Sequence, residues 1–205
     1  MKNKNLFLVQ FALLLAIEAI FCFTPLGSLP AIGPIVATIA MVPVIITALL
    51  LGTKAGTVMG LFAGLFSFIV WTFTPPSPVA FIFTPFYSLG EIQGNFGSLL
   101  ICFVPRILVG TVSGAVYTTF SKLFTKKDVM NMVIASLLGS LTNTVGVMGG
   151  IWLFFGQQYS SMVGQSMIII VTTTILTSGI PEAIVSAIAA PAVCKPARLI
   201  VNKGR

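Results

Sequence analysis

The sequence predicts an all-α membrane protein: a compact bundle of six transmembrane helices with both termini on the cytoplasmic side. Three observations carry this. Of the 205 residues, 57% are hydrophobic and only 7% charged, with a mean hydropathy of +1.07, whereas a soluble domain carries about 25% charged residues. The apolar stretches approach the roughly 20 residues that a helix needs to cross a bilayer and are separated by turns rich in Pro, Gly or Lys. The cations, with one exception, fall on alternate turns, so that a single orientation puts them on one side.

The first span, about residues 6–24, follows Lys2 and Lys4. It is about as long as a membrane crossing and has no evident small-x-small cleavage site, so it reads as an uncleaved first helix. TPLGSLPAIGP (24–34) ends it with three prolines and two glycines. A short second span at about 35–51 carries Pro43 and ends at the tight turn Gly52-Thr53-Lys54. The third span covers about 55–74. Next comes TPPSPVAFIFTPFYSLGEIQGN (74–95), with four prolines and many aromatics. A stretch of that composition is expected to fold over something, as lids do. The fourth span, about 98–120, leads into the basic turn SKLFTKKD, and the fifth covers about 129–155. GQQYSSMVGQ (156–165) turns the chain back, and the sixth span covers about 166–190, ending before Pro191. The whole chain, 1–205, is one transmembrane domain.

With the N-terminus inside, Lys2, Lys4, Lys54, Lys122, Lys126, Lys127, Lys195, Arg198, Lys203 and Arg205 all lie on the cytoplasmic side. That is the positive-inside pattern. The net charge of +7 and pI of 9.7 therefore report topology, and no nucleic acid is implied. Trp71, Tyr87, Trp152 and Tyr159 fall where an outer aromatic belt would lie. The chain has no histidine, which removes Ser-His-Asp catalysis and histidine-ligated zinc or haem. Cys22, Cys102 and Cys194 are far apart in apolar surroundings and read as small hydrophobes. No metal and no cofactor is expected.

One cation breaks the charge pattern. Arg106 lies inside SLLICFVPRILVGTVSGAVYTTF, about 13 Å along a helix entered near Gly97. An arginine at a helix centre costs roughly 2.5–3.5 kcal/mol on insertion scales, so it should face a partner, a ligand or a wet cavity. Two readings stand: an ion pair with Glu182, which follows Gly179-Ile180-Pro181 on the sixth span, or contact with a ligand carboxylate. Glu18 either meets a ligand or reaches the outer interface. Glu91 is either solvated or part of a site. Ser140, Thr142, Asn143 and Thr144 cluster on the fifth span, where Asn143 suits either a hydroxyl- or amide-bearing ligand or a neighbouring helix. The hydroxyls of Thr172, Thr173, Thr174, Thr177 and Ser178 can bond back to their own helix. Gly52, Gly56, Gly60 and Gly64 are read as one close-packing face. Gly110/Gly114 and Ala12/Ala16 repeat the small-xxx-small spacing.

The stretches FTPLGSLPAIGPIVATIAMVPVIITALLLGTKAGTVMGLFAGLFS, VPRILVG and GSLTNTVGVMGGIWLFFG resemble the substrate-binding S component of energy-coupling factor (ECF) vitamin transporters. The resemblance implies a subunit of the prokaryotic cell membrane that captures a water-soluble vitamin from outside and docks on a transmembrane coupling subunit. Two ATPase subunits on separate chains power the import, so the chain itself is not an enzyme; it has no Walker A motif. Ala12 and Ala16 match the family's docking face on the first helix. The pattern is most like pantothenate-type members, with riboflavin, folate and hydroxymethylpyrimidine as alternative cargo. The expected substrate-binding residues are Arg106, Asn143, Thr142, Glu182, Glu91, Tyr87 and Phe86. Phe81 and Phe83 belong to the same aromatic loop, which suits stacking on a flat ring. The rival readings from other classes are an intramembrane enzyme and a structural assembly subunit.

Overall fold

The computed structural model describes residues 2–27, 39–90 and 92–203. Helix α1 (Lys2–Phe23) is followed by a short 3-10 turn at Pro25–Gly27. Helix α2 (Met41–Leu51) meets α3 (Thr53–Phe73) at Gly52, whose φ of +96° makes the tight reversal that a residue with a Cβ resists. Gly52 is thus a turn residue and not a member of the α3 packing face. Helix α2 has 11 residues, about 16 Å, and cannot span a core of roughly 30 Å. It is instead the most enclosed element, with nine residues buried. Five other helical rods are long and apolar enough to cross a membrane.

Helix α4 (Phe96–Leu123) begins at a full capping box. Asn95 Oδ1 accepts from the Gly97 N–H at 2.7 Å, and Ser98 Oγ accepts from the Asn95 N–H at 3.1 Å. Helix α5 (Asp128–Val163) runs eight residues past the Phe155 limit expected from sequence and stops at Gly164, which is left-handed with φ +70°. The turn residues Gly156–Val163 are helical because nothing before Gly164 breaks the pattern. The last rod comprises α6 (Met167–Thr174), a π-helical turn (Ile175–Gly179) and α7 (Ile180–Lys203). It passes through Pro191 and Pro196 rather than ending before Pro191.

Glycine decides how closely α3 and α4 approach. A Cβ on Gly60 would lie 2.2 Å from the Arg106 carbonyl oxygen, and one on Gly110 would lie 2.0 Å from that of Gly56. The antiparallel α4–α5 pair has the same device, with Gly146 against Pro105 and Gly150 against Ile101. Thr57 and Thr111 hydrogen-bond across the α3–α4 seam at 2.9 Å.

Buried side chains form two apolar clusters. One, mainly aliphatic, gathers around α2, with Leu14 from α1, Met59 from α3, Val109 from α4, Met132 and Ala135 from α5, and Ala190 and Cys194 from α7. The other is aromatic and lies under the 74–95 segment. It includes Phe81, Phe83, Ile101, Met148, Phe155 and Tyr159. Tyr159 is fully buried in that cluster and so is not part of an interfacial belt, whereas Trp152 is exposed.

Arg198 ties four elements together beside the aliphatic cluster. It donates to the Leu49 carbonyl and the Tyr117 hydroxyl, lies 3.3 Å from Asp128 Oδ1, and stacks over the Tyr117 ring at 4.6 Å. Tyr117 Oη donates to the same carboxylate at 2.6 Å. Sequence reading left Arg198 as one more topological charge. Its ion pair is partly exposed and by itself contributes little, but the fork also satisfies a carbonyl at the end of α2. Arg198→Ala is expected to cost about 2 kcal/mol and to lower the melting temperature by about 4–8 °C, measured by a thiol-independent thermal-unfolding assay in detergent. An unchanged melting temperature would show that the knot adds nothing.

Candidate functional site

Between the two clusters lies a polar layer. On α4, Ile101 and Cys102 belong to the aromatic cluster, Val109 belongs to the aliphatic one, and Arg106 sits between them. On α5 the residues between are Ser140, Asn143 and Thr144. On the last rod they are Thr174, Ser178, Glu182 and Ser186, spaced by four and therefore on one face. Gly179 packs on Thr144, which sets the level of Glu182 against α5. On α1, Glu18 is fully buried between Leu14 and Cys22, both of which pack against the aliphatic cluster.

Proline organises the arginine. Pro105 has no N–H, so the Ile101 carbonyl four residues earlier loses its helical donor. Arg106 Nη1 takes its place, donating to the Ile101 oxygen at 2.7 Å. The bond turns the guanidinium back along α4 toward the aromatic cluster, the direction in which helical side chains already lean. The Phe83 ring covers it at 5.2 Å, and Trp71 stacks on Phe83 at 4.6 Å. Arg106 is 7% exposed, and its Nε has no hydrogen-bond partner within the protein. Pro181 has a similar effect on the last rod. It cannot donate to the preceding turn, and the helix widens into the π turn just before it, with the Ile180 N–H reaching back to the Ile175 carbonyl. Such turns recur at functional sites.

The ion pair weighed for Arg106 and Glu182 is not made: among the described residues the single ion pair is Arg198–Asp128. The Arg106 charge does act on Glu182 through space. Glu182 Oε1, Asn143 Oδ1, Glu18 Oε2, Ser140 Oγ and Thr174 Oγ1 also lack partners within the protein. Each such group costs about 1–3 kcal/mol if left unsatisfied, so a layer holding this many calls for a polar guest or ordered water.

The other expected site residues are distributed differently. Thr142 shares a face with the exposed Leu138 and Val145 and donates back to the Leu138 carbonyl at 2.6 Å, so the fold does not bring it into the layer. Phe86 is 77% exposed and packs outward on Phe68. Helix Pro78–Ile82 and the hairpin β1 (Ser88–Leu89)–β2 (Ile92–Gln93) direct Phe81 and Phe83 inward instead. Tyr87 is half-buried beside the aromatic cluster. Glu91 lies outside the described residues. Glu18 does not reach an interface; it faces the interior. Thr172 and Thr177 bond back to their own helix, whereas Thr174 does not. Ala12 and Ala16 lie on the exposed side of α1 with Leu8, Val9 and Leu13. Sequence reading missed the arginine's cover, Phe83: four aromatics in one loop looked equivalent, and only the 3-10 turn distinguishes them.

Five helices long and apolar enough to cross a membrane thus enclose a charged polar layer beneath an aromatic segment. Residues 6–194 match the family "ECF transporter, substrate-specific component", and the chain belongs to that family. It is 35% identical over 163 residues to the pantothenic acid transporter PanT of Lactococcus lactis subsp. cremoris (strain MG1363), covering 79% of this chain and 80% of that protein. The fold is similar to that of ThiT from Listeria monocytogenes, with a TM-score of 0.64 and 17% identity over 95% of this chain and 96% of that one. The protein is thus a transporter substrate-binding component of the cell membrane, with a vitamin as its cargo class and a coupling module as its partner in general terms.

Proposed function

We propose that this chain is the pantothenate-binding component of an ECF importer. The carrying observation is Arg106, the one cation of the buried layer, held by the Ile101 carbonyl under Phe83. Its unpartnered Nε suits a carboxylate. Pantothenate presents one carboxylate, two hydroxyls and an amide. Asn143 and Glu182 supply hydrogen-bonding groups for the uncharged part, and Tyr87 is half-buried beside the aromatic cluster above them. The similarity to a transporter whose name states pantothenic acid supports the same cargo. Both termini are cytoplasmic in this reading, with the aromatic segment facing outside. The exposed Ala12/Ala16 face of α1 docks on the coupling subunit, since small residues let another backbone approach. Two separate ATPase subunits drive the cycle.

The test is to purify the chain alone in detergent, denature it, and identify released small molecules by mass spectrometry. Near-stoichiometric pantothenate is the expected result. A different vitamin would overturn the cargo assignment, and an empty protein that binds no added vitamin would overturn the binding role.

A further inference from the structure

Two adjacent residues at the end of α3 hold two adjacent residues of the aromatic segment. The Trp71 ring stacks on Phe83 at 4.6 Å, and the Thr72 hydroxyl donates to Thr84 Oγ1 at 2.8 Å. A threonine on a helix ordinarily donates back to its own helix. Thr47, Thr118, Thr142, Thr172 and Thr177 all do so, each to the carbonyl four residues earlier. Thr72 donates to another segment instead. Its acceptor is fully buried and also takes the Phe86 N–H at 3.3 Å. Two further contacts fix the stretch on either side. Ser98 Oγ donates to the Phe81 carbonyl at 2.6 Å, and a Cβ on Gly94 would lie 2.1 Å from the Thr84 carbonyl oxygen. Phe83, between these anchors, is buried and lies over the Arg106 guanidinium. The ring shields that charge from water but offers it no hydrogen-bond acceptor.

We propose that Thr72 and Thr84 are positioning residues for cargo binding: their hydrogen bond holds Phe83 over Arg106, so that the guanidinium is covered before a carboxylate arrives. The proposal deepens the pantothenate reading and rests on Arg106 as the group that meets the carboxylate. Neither threonine hydrogen-bonds Arg106, so both act through Phe83. The physical reason is dielectric. A contact between guanidinium and carboxylate is stronger where water is excluded, and a ring already held in place costs no ordering when the guest binds. The consequence is selective. Loss of the bond weakens recognition of the charged end of the cargo and largely spares that of its hydroxyl and amide groups, which fall to Asn143 and Glu182.

The test titrates the full chain in detergent with pantothenate and with pantothenol, in which a hydroxymethyl group replaces the carboxylate. Thr72→Val keeps the side-chain shape and removes the donor. It is expected to weaken pantothenate about tenfold and pantothenol less than about threefold, so that their ratio falls. Thr72→Ser, which keeps the hydroxyl, is expected to retain the ratio of the unsubstituted protein. Thr84→Val should lower the ratio by a similar factor, and the double variant by no more than either single one, because all three lose the same bond. Arg198→Ala, which loosens the fold outside the layer, should leave the ratio unchanged. Trp71 and Trp152 are the two tryptophans of the chain, so a Trp152→Phe background isolates Trp71. There, Thr72→Val is expected to shift the Trp71 emission to longer wavelength as the Phe83 stack loosens, and Thr72→Ser to leave it in place. An unchanged ratio in a folded Thr72→Val protein, or an unchanged Trp71 emission, would overturn the proposal. If the unsubstituted protein binds both probes equally, or another vitamin instead, the reading of Arg106 as the pantothenate carboxylate's partner has failed. The Trp71 comparison then decides separately whether the bond holds Phe83.

Discussion

Arg106→Ala is expected to weaken pantothenate binding by the purified protein more than tenfold, about 1.4 kcal/mol or more. The loss should exceed that of any other single truncation in the polar layer. Removing one partner of a buried, hydrogen-bonded charge pair costs roughly 2–5 kcal/mol, much of it from the charge left unpaired. Here the stranded group would be the ligand carboxylate, held beneath Phe83 with no second cation among the described layer residues. The variant should still fold, because Arg106 makes one hydrogen bond to its own helix and no interhelical ion pair. The Ile101 carbonyl it abandons is a modest loss. Docking through Ala12 and Ala16 should persist, since that face lies on α1. Isothermal titration with the unsubstituted protein as reference checks the first part, and retention of the coupling subunit on affinity resin checks the second. A folded Arg106→Ala protein with unchanged affinity would move the site away from α4.

Gly60→Ala is expected to destabilise the α3–α4 seam strongly. Its Cβ would lie 2.2 Å from the Arg106 carbonyl oxygen and 2.8 Å from the carbonyl carbon, both backbone atoms that no rotamer change can move. Relief requires α3 and α4 to separate, which loosens the close backbone contact that drives helix association where lipid is as apolar as the side chains. Overpacking of this kind typically costs about 1–3 kcal/mol and occasionally more. The upper end applies here because Gly56, Gly64 and Gly110 share the seam. The expected outcome is loss of monodisperse protein on size-exclusion chromatography, or a melting temperature lower by several degrees. Gly149→Ala is the control: nothing lies within 4 Å of its added methyl, and the profile should be unchanged. The same seam supports the site, because the clashing oxygen belongs to the arginine.

How much of this was legible in the sequence differs from element to element. The helices α3, α4 and α5 follow from long apolar runs bounded by glycine, lysine and proline. Their packing follows from the four-residue spacing of glycines, since small residues on one face leave little alternative. Arg106 stood out because a charge in hydrocarbon has to be justified, and the P-R dipeptide already contained its geometry: a carbonyl stripped of its donor beside a side chain able to donate. Helix ends were less readable. Gly156–Val163 are helical because nothing before the left-handed Gly164 breaks α5, and Pro191–Lys203 because the last rod passes through both of its prolines. The deepest divergence is in which polar groups face inward. Thr142 and Asn143 are adjacent, and a helix turns 100° per residue, so only the positions of α4 and α7 decide which of them faces the layer. Phe83 directly follows the 3-10 helix Pro78–Ile82 and faces inward, whereas Phe86, in the turn beyond it, packs outward; Glu18 is buried because α1 turns that face inward. Composition determined the membrane, the spans' approximate places and the one costly charge, because those depend on transfer energies summed along the chain. The tertiary structure decided the members of the polar layer, because facing depends on the angle at which each helix is packed, and that angle is set by partners distant in sequence.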